Sequence, residues 1–497
     1  MENRLRNSGI LLHLTSLAGK YGIGTLGSEA YQFIDFLQNS KIKIWQILPL
    51  GSTGFGNSPY QCYSAFAGNP LLIDLEQLKE INVITYEDII EHQTHFKESS
   101  LVDFQTVETF KIPLLRKAYS NFRQASSQYS DFLGFCEYHA QWLNDYSLFM
   151  SLKAYHGGLS MIDWPLPMRK KESEAIFAIY DKLIDEVGFQ KFIQYIFFRQ
   201  WMKLKKYANN RGVEIMGDIP IYVSYDSADV WSNPEFFEVD KELRPLKVAG
   251  VPPDYFSQTG QLWGNPVYKW AAMEADDFAW WRKRIKGTFA IFDRVRIDHF
   301  RGFSKFWSIP FGEDTAINGT WVDAPGIELF KSIELHFGKL AIVAEDLGLI
   351  TPDVEALRDN NGFPGMKILQ FAFDSSENNV YLPHTYLPNC VVYTGTHDNN
   401  TTLGWHNEVA EEDVIKSVKY MDCEGKSFVK SMIRLAWSSV AETAIVPMQD
   451  ILELGAHARM NTPGTIENNW LWKMIPEQID DCLAHELSAL NMLYGRG

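Results

Sequence analysis

The chain is poor in cysteine: five in 497 residues (Cys62, Cys136, Cys390, Cys423 and Cys482), scattered and without a CxxC pair. That spacing offers neither a disulfide framework nor a thiolate metal site. No apolar run is long enough to span a bilayer. The N-terminal MENRLRNSGILLHLTSLAG has a polar start and a short apolar run broken by His13, too weak for a secretory signal. Basic charge is short as well, with 46 Lys and Arg against 62 Asp and Glu, a net charge of −16. Nucleic acid and anionic membranes are held by clustered Lys and Arg, so neither is expected as a partner. Internal repeats and low-complexity linkers are absent. These absences point to a soluble, cytoplasmic protein.

What is plentiful is aromatic side chain, 14% of residues with 15 Trp. Either a well-filled core or a groove lined with flat rings accounts for it. Eight short apolar runs read as parallel strands: 9–17, 42–50, 213–221, 294–300, 340–347, 365–373, 391–398 and 444–452. Near-continuous apolar character marks strands covered on both faces. Amphipathic helices lie between them. SEAYQFIDFLQNS (28–40) offers Ser28 as its cap, and TPDVEALRDNNG offers Thr351 with Pro352 at the first helical position. Eight alternating strands and helices predict a (β/α)8 barrel, with an open doubly wound sheet as the alternative. Two intervals exceed ordinary connections. Residues 75–200 read as a mainly helical insertion, and 222–293 as a second insertion that begins irregularly. One barrel domain over 1–497, with insertions at its C-terminal face, is the expected organisation.

The active site of such a barrel forms at the C-terminal ends of its strands, and here those ends are acidic. Asp218, Asp298, Glu345 with Asp346, Asp398 and Asp450 lie towards the ends of the third, fourth, fifth, seventh and eighth strand candidates. Converging carboxylates suit acid–base or metal chemistry; singly, each could cap a helix or pair with Arg. A catalytic metal is disfavoured, because no HExxH or HxH occurs. Moreover, His299 and His397 each adjoin an acid on one strand, where neighbouring side chains diverge. The Gly-rich PLGSTGFGNSPYQ (49–61) lacks GK[ST] and dinucleotide spacing, and reads as an aromatic loop over the mouth or a structural turn.

Acids with aromatic lining suggest sugar chemistry by two carboxylates. In DRVRIDHFRGF (293–303), Arg296 sits two residues before Asp298 and could keep it ionised as a nucleophile. The role of Arg301 stays open, a structural ion pair being the default reading. Glu345 follows LAIVA, and apolar surroundings would raise its pKa and suit it to proton donation.

The chain resembles the 4-α-glucanotransferases of the amylomaltase type, glycoside hydrolase family 77 of the α-amylase clan. The motifs that carry the likeness are GILLHLTSL, GNSPYQCYSAFAGNPLLIDL, GDIPIYVSYDSADVW, GVPPDYFSQTGQLWGNPVY, RIDHFRGF, AEDLG, TGTHDNNTT and ARMNTPGT, in that order along the whole chain. The resemblance implies Asp298 as nucleophile, Glu345 as general acid/base and Asp398 as the third carboxylate, gripping the reacting sugar. It implies sugar contacts from Arg296, His299, His397 and Asp218, and an aromatic platform at Tyr60. Trp263 becomes an acceptor-side ring, Tyr255 and Phe256 part of a covering loop, and Ser58 and Asn469 further contacts. The implied reaction is retaining transfer of α-1,4-glucan segments between malto-oligosaccharides, with glucose or maltose as acceptor, without metal or cofactor, by a monomer or homodimer. The chain's ends imply no C-terminal β domain and a compact bacterial-type enzyme. An α-1,4-glucan hydrolase using the same acids is the alternative; a carbohydrate-binding protein and a metal-dependent hydrolase stand further off.

Overall fold

The computed structural model describes residues 6–92, 96, 99–125, 128–253, 257–374 and 379–497. Eight strands carry the fold: β1 (Asn7–Leu11), β2 (Ile44–Gln46), β3 (Glu214–Ile219), β4 (Arg294–Ile297), β5 (Ile342–Ala344), β6 (Gly365–Ile368), β7 (Cys390–Tyr393) and β8 (Thr443–Pro447). They form one parallel sheet in the order β6-β7-β8-β1-β2-β3-β4-β5. Their side chains are buried because helices cover one face and the barrel interior the other; Ile215, Val295, Ile297, Ile342, Val392 and Ile445 are almost wholly removed from water.

The two ends of this sheet meet at β5 and β6. The Ala344 N–H donates to the Pro364 carbonyl at 2.9 Å, and the Asp346 carboxylate accepts the Met366 N–H at 2.7 Å. Arg358 pairs with the same carboxylate. A side chain thus supplies part of the ladder where twisted strands have drawn apart, and the (β/α)8 barrel is closed.

Every expected strand is present, and each is shorter than its apolar run. The run at 391–398 leaves the sheet after Tyr393, and that at 294–300 after Ile297. The residues beyond stay buried in turns at the barrel mouth, so composition does not register where pairing stops. Ser28 opens its helix (Ser28–Asn39) instead of capping it; Gly27 holds the cap position. A Cβ at Gly27 would lie 2.2 Å from Asp74 Oδ2, so a larger cap does not fit.

The link from β2 to β3 is largely helical and ends in a 31-residue helix, Tyr180–Asn210. Beyond β3 the chain forms strands Lys247–Val251 and Gln261–Pro266, which join Lys305–Pro310 and Thr320–Asp323 from the β4–β5 link. These four make a separate antiparallel sheet that the sequence reading missed. Its partners come from two distant stretches of chain, so no single stretch shows the pairing.

Candidate active site

In the parallel register of β3 and β4, Arg296 lies directly opposite Asp218. Their side chains are 3% and 0% exposed, and Arg296 Nη1 meets Asp218 Oδ2 at 2.7 Å. Arg296 Nη2 reaches Asp298 Oδ1 at 3.0 Å. One guanidinium thus spans two carboxylates, a geometry its planar fork permits. Burial works against the Arg296 charge, but Asp218 and Asp298 hold its pKa above the usual arginine value. The Tyr60 hydroxyl donates to Asp218 Oδ2 at 3.0 Å, whereas among the described residues Asp218 Oδ1 is buried without a partner.

Asp298 follows the last residue of β4, and its N–H bonds to the Ile219 carbonyl at 2.9 Å. Its side chain keeps 26% exposure, at the floor of a mouth walled by protein. Burial lifts its pKa to about 6, with Arg296 pulling in the opposite direction. Arg296 therefore favours the ionised form of Asp298, but desolvation outweighs it.

The chain then turns through His299, whose φ of 48° is left-handed. This turn points the His299 N–H at Glu345 Oε2, 2.6 Å away. The Leu347 N–H bonds Glu345 Oε1 at 3.1 Å. Burial raises the Glu345 pKa to about 8; Arg296 and the two N–H groups oppose that rise, and Asp298 adds to it. The His299 ring is kept neutral, since burial lowers its pKa to about 3. Trp263 meets it edge-on at 4.8 Å between ring centroids.

His397 and Asp398 do not diverge as strand neighbours would. They sit in a turn beyond β7, where His397 Nε2 approaches Asp398 Oδ2 at 3.2 Å. Asn461 Nδ2 donates to Asp398 Oδ1 at 2.6 Å. Burial alone would raise the Asp398 pKa, but His397 and Asn461 bring it down to about 2. The Tyr60 ring stacks on His397 (5.3 Å, 13°). Trp470 packs against both rings, from a left-handed backbone with φ 67°. A bulky residue in that conformation carries strain, as is frequent at functional sites.

The other expected residues divide. Ser58 Oγ accepts the Tyr60 N–H at 3.3 Å and so shapes the turn bearing that ring. The Asn469 amide is engaged with Thr462 and Thr465 of its own loop. Tyr255 and Phe256 lie outside the described residues. Asp346 serves the barrel seam, and Asp450 bonds Thr394 and Thr402, so both acids are structural. Among the described residues Arg301 makes no ion pair within 4 Å; it donates to the Leu349 carbonyl and lies over the Trp321 ring at 4.2 Å. Among the described residues, no group of three His, Cys, Asp or Glu side chains is placed to hold a metal ion.

Sequence reasoning missed Asn461, Arg459 and Trp470. Arg459 Nη2 donates to the Asp398 carbonyl at 2.7 Å, and the Asn461 N–H to the His397 carbonyl at 3.0 Å. The signal was present in ARMNTPGT, but some sixty residues of chain separate it from Asp398.

The site therefore holds one acid well below neutrality (Asp398), one moderately raised (Asp298) and one raised further (Glu345), within a rim of rings. Such an arrangement supplies a nucleophile and a proton donor side by side.

A family model described as 4-alpha-glucanotransferase matches residues 12–477. A 4-alpha-glucanotransferase of Synechocystis sp. is 50% identical, covering 99% of this chain and 98% of its own. One from Thermus thermophilus is 48% identical over 95% of this chain and 96% of its own. The solved amylomaltase from Streptococcus agalactiae, in complex with acarbose, is similar with a TM-score of 0.96 and 40% identity, covering 99% of this chain and 100% of that one.

Proposed function

The chain belongs to the 4-alpha-glucanotransferase family, and from that premise we propose how its carboxylates move α-1,4-glucan segments between malto-oligosaccharides. Asp298 attacks the anomeric carbon of the donor while Glu345 gives its proton to the departing glycosidic oxygen. A covalent glycosyl–Asp298 ester results, and the cleaved glucan leaves. Glu345, now a carboxylate, takes the proton from an acceptor sugar hydroxyl, whose oxygen attacks the same carbon and releases Asp298. Two inversions give net retention.

The observation that carries this reading is the ordering of the two acids. Burial raises Glu345 further than Asp298, which Arg296 draws back, so Asp298 ionises first and Glu345 holds its proton longer, the order the first step uses. Asp398, ionised throughout, accepts hydroxyls of the reacting sugar, and His397 and His299 offer ring nitrogens to it. Tyr60 forms the platform under that sugar and Trp263 the acceptor-side ring. Asp218 is sealed from solvent, so it acts through Arg296 and Tyr60. Ser58 and Asn469 shape the loops around them, and Tyr255 and Phe256 keep the covering-loop role that the resemblance gives them. Glucose or maltose as acceptor and a monomeric or homodimeric state complete the reading on the resemblance alone, and a cytoplasmic location on the sequence composition.

Maltotriose incubated with the purified protein tests it. Free glucose with a ladder of longer chains is expected; reducing ends that accumulate without longer products would indicate hydrolysis instead.

A further inference from the structure

Tyr60 and Trp263 belong to different structures: a loop after β2 and the separate antiparallel sheet. The residue that joins them is Gln61, which the catalytic scheme does not use. Gln61 is fixed at its main chain, donating to the Ser58 carbonyl at 3.1 Å and accepting from the Gly54 N–H at 2.9 Å. Its side-chain amide crosses to the sheet, where Nε2 meets Asn265 Oδ1 at 3.0 Å and the Trp263 carbonyl at 3.5 Å. Asn265 is buried, and its own Nδ2 donates to the Val223 carbonyl at 2.9 Å. That bond fixes the Asn265 amide so that its oxygen faces Gln61. Trp263 is steadied further by a 3.2 Å bond from its indole N–H to Gln261 Oε1.

We propose that Gln61 is a positioning residue that sets the acceptor-side Trp263 relative to the Tyr60 platform, and so decides how well a sugar hydroxyl competes with water for the glycosyl enzyme. The proposal rests on the transferase reading above. In the first half-reaction an aryl leaving group departs without needing a sugar on Trp263. In the second, the acceptor hydroxyl must sit over Glu345, and a displacement of its supporting ring costs rate steeply. Water needs no such support. Loss of the Gln61 amide therefore falls on transfer and spares both aryl release and hydrolysis. One neutral hydrogen bond corresponds to about a fivefold effect.

The test uses the full-length protein with 4-nitrophenyl α-maltoside as donor and glucose as acceptor. Gln61→Ala is expected to release nitrophenol within about twofold of the parent, to raise the glucose KM about fivefold and to shift products towards hydrolysis. Gln61→Glu keeps the side-chain length without the N–H, guards against a packing defect, and is expected to behave alike. In a Trp263→Ala background, Gln61→Ala is expected to add nothing to the glucose KM, because the ring it positions is gone. An unchanged glucose KM and product split in both Gln61 variants overturns the proposal. So does nitrophenol release that falls by the same factor as transfer, which marks a merely structural residue. Failure of the transferase reading is seen separately, in a parent that makes no ladder from maltotriose.

Discussion

The main-chain N–H of His299 holds the carboxylate of Glu345 at 2.6 Å, so the residue after Asp298 grips the acid on the neighbouring strand. The grip depends on the left-handed backbone of His299 (φ 48°). Asp298 and Glu345 are thus set against each other by backbone geometry, not by a side chain that can swing away. The same contact favours an ionised Glu345, yet burial outweighs it. In the proposed mechanism the acid would therefore donate its proton from a fixed position.

The first prediction concerns pH. In the proposed mechanism Asp298 is ionised to attack and Glu345 protonated to donate, so kcat/KM should rise as pH passes about 6 and fall as pH passes about 8. The two groups interact, so the limbs report the pair. Glu345→Gln should abolish the alkaline limb for an activated aryl donor and leave the acidic one. A descending limb that persists in this variant would place the acid elsewhere.

The second concerns stability at the same residue. A carboxyl whose folded pKa is raised favours the folded state at low pH, and that contribution is lost as pH rises through the folded value. For Glu345 the window runs from about 4.5 to about 8. Glu345→Gln carries no such charge, so it should be the more stable protein above pH 8 by about 1–2 kcal/mol, with the gap closing towards pH 5. Thermal melts across that range check it; a gap that widens as pH falls would contradict the assignment.

The third prediction tests the bridge made by Arg296. Arg296→Gln leaves Asp218, wholly enclosed, without its cation. Breaking a buried pair costs about 3–5 kcal/mol, read in denaturant unfolding. Removing the charge that pulls Asp298 down should also move the acidic limb of kcat/KM to higher pH. An acidic limb that stays in place would show that Arg296 does not tune the nucleophile.

Much of this was legible in sequence, for physical reasons. Double-sided burial makes parallel strands apolar runs, and all eight were visible. Acids at strand ends in a barrel face the mouth, so Asp298, Glu345 and Asp398 could be proposed by position, whereas the side chain of Asp218 is wholly enclosed. Asp346 and Asp450 look the same in sequence, and only their partners in the fold separate them: Met366 and Arg358 for Asp346, Thr394 and Thr402 for Asp450. Asn461 and Trp470 were hidden because they come from a loop beyond β8, on no strand and with no diagnostic spacing. The pairing of His397 with Asp398 was hidden because the strand ends at Tyr393, five residues sooner than its apolar run suggests.

Asn461 supports the fourth prediction. Its amide donates to Asp398 at 2.6 Å and helps hold that carboxylate ionised. A hydrogen bond to a charged group contributes about 1.5–3 kcal/mol, so Asn461→Ala should lower kcat/KM by roughly ten- to a hundredfold. Asn461→Asp should do worse at neutral pH, because two carboxylates would face each other, and should recover in part as pH falls. If Asn461→Ala matched the parent, Asp398 would be held by His397 alone.

The fifth concerns the seam of the barrel. Gly365 begins β6 where a Cβ would lie 2.3 Å from Asp346 Oδ2, so any side chain there pushes Asp346 off the Met366 N–H. Leaving that buried donor unpaired costs about 1–3 kcal/mol. Because β5 leads straight into Glu345, a parted seam should lower activity as well as stability. Gly365→Ala is therefore expected to lose stability, to speed hydrogen exchange at the Met366 amide, and to slow turnover. Asp346→Asn keeps an acceptor for that amide while removing the charge that Arg358 pairs with, so exchange at Met366 should stay closer to the parent. Equal exchange in the parent and in Gly365→Ala would mean that the barrel is closed by packing and not by this carboxylate.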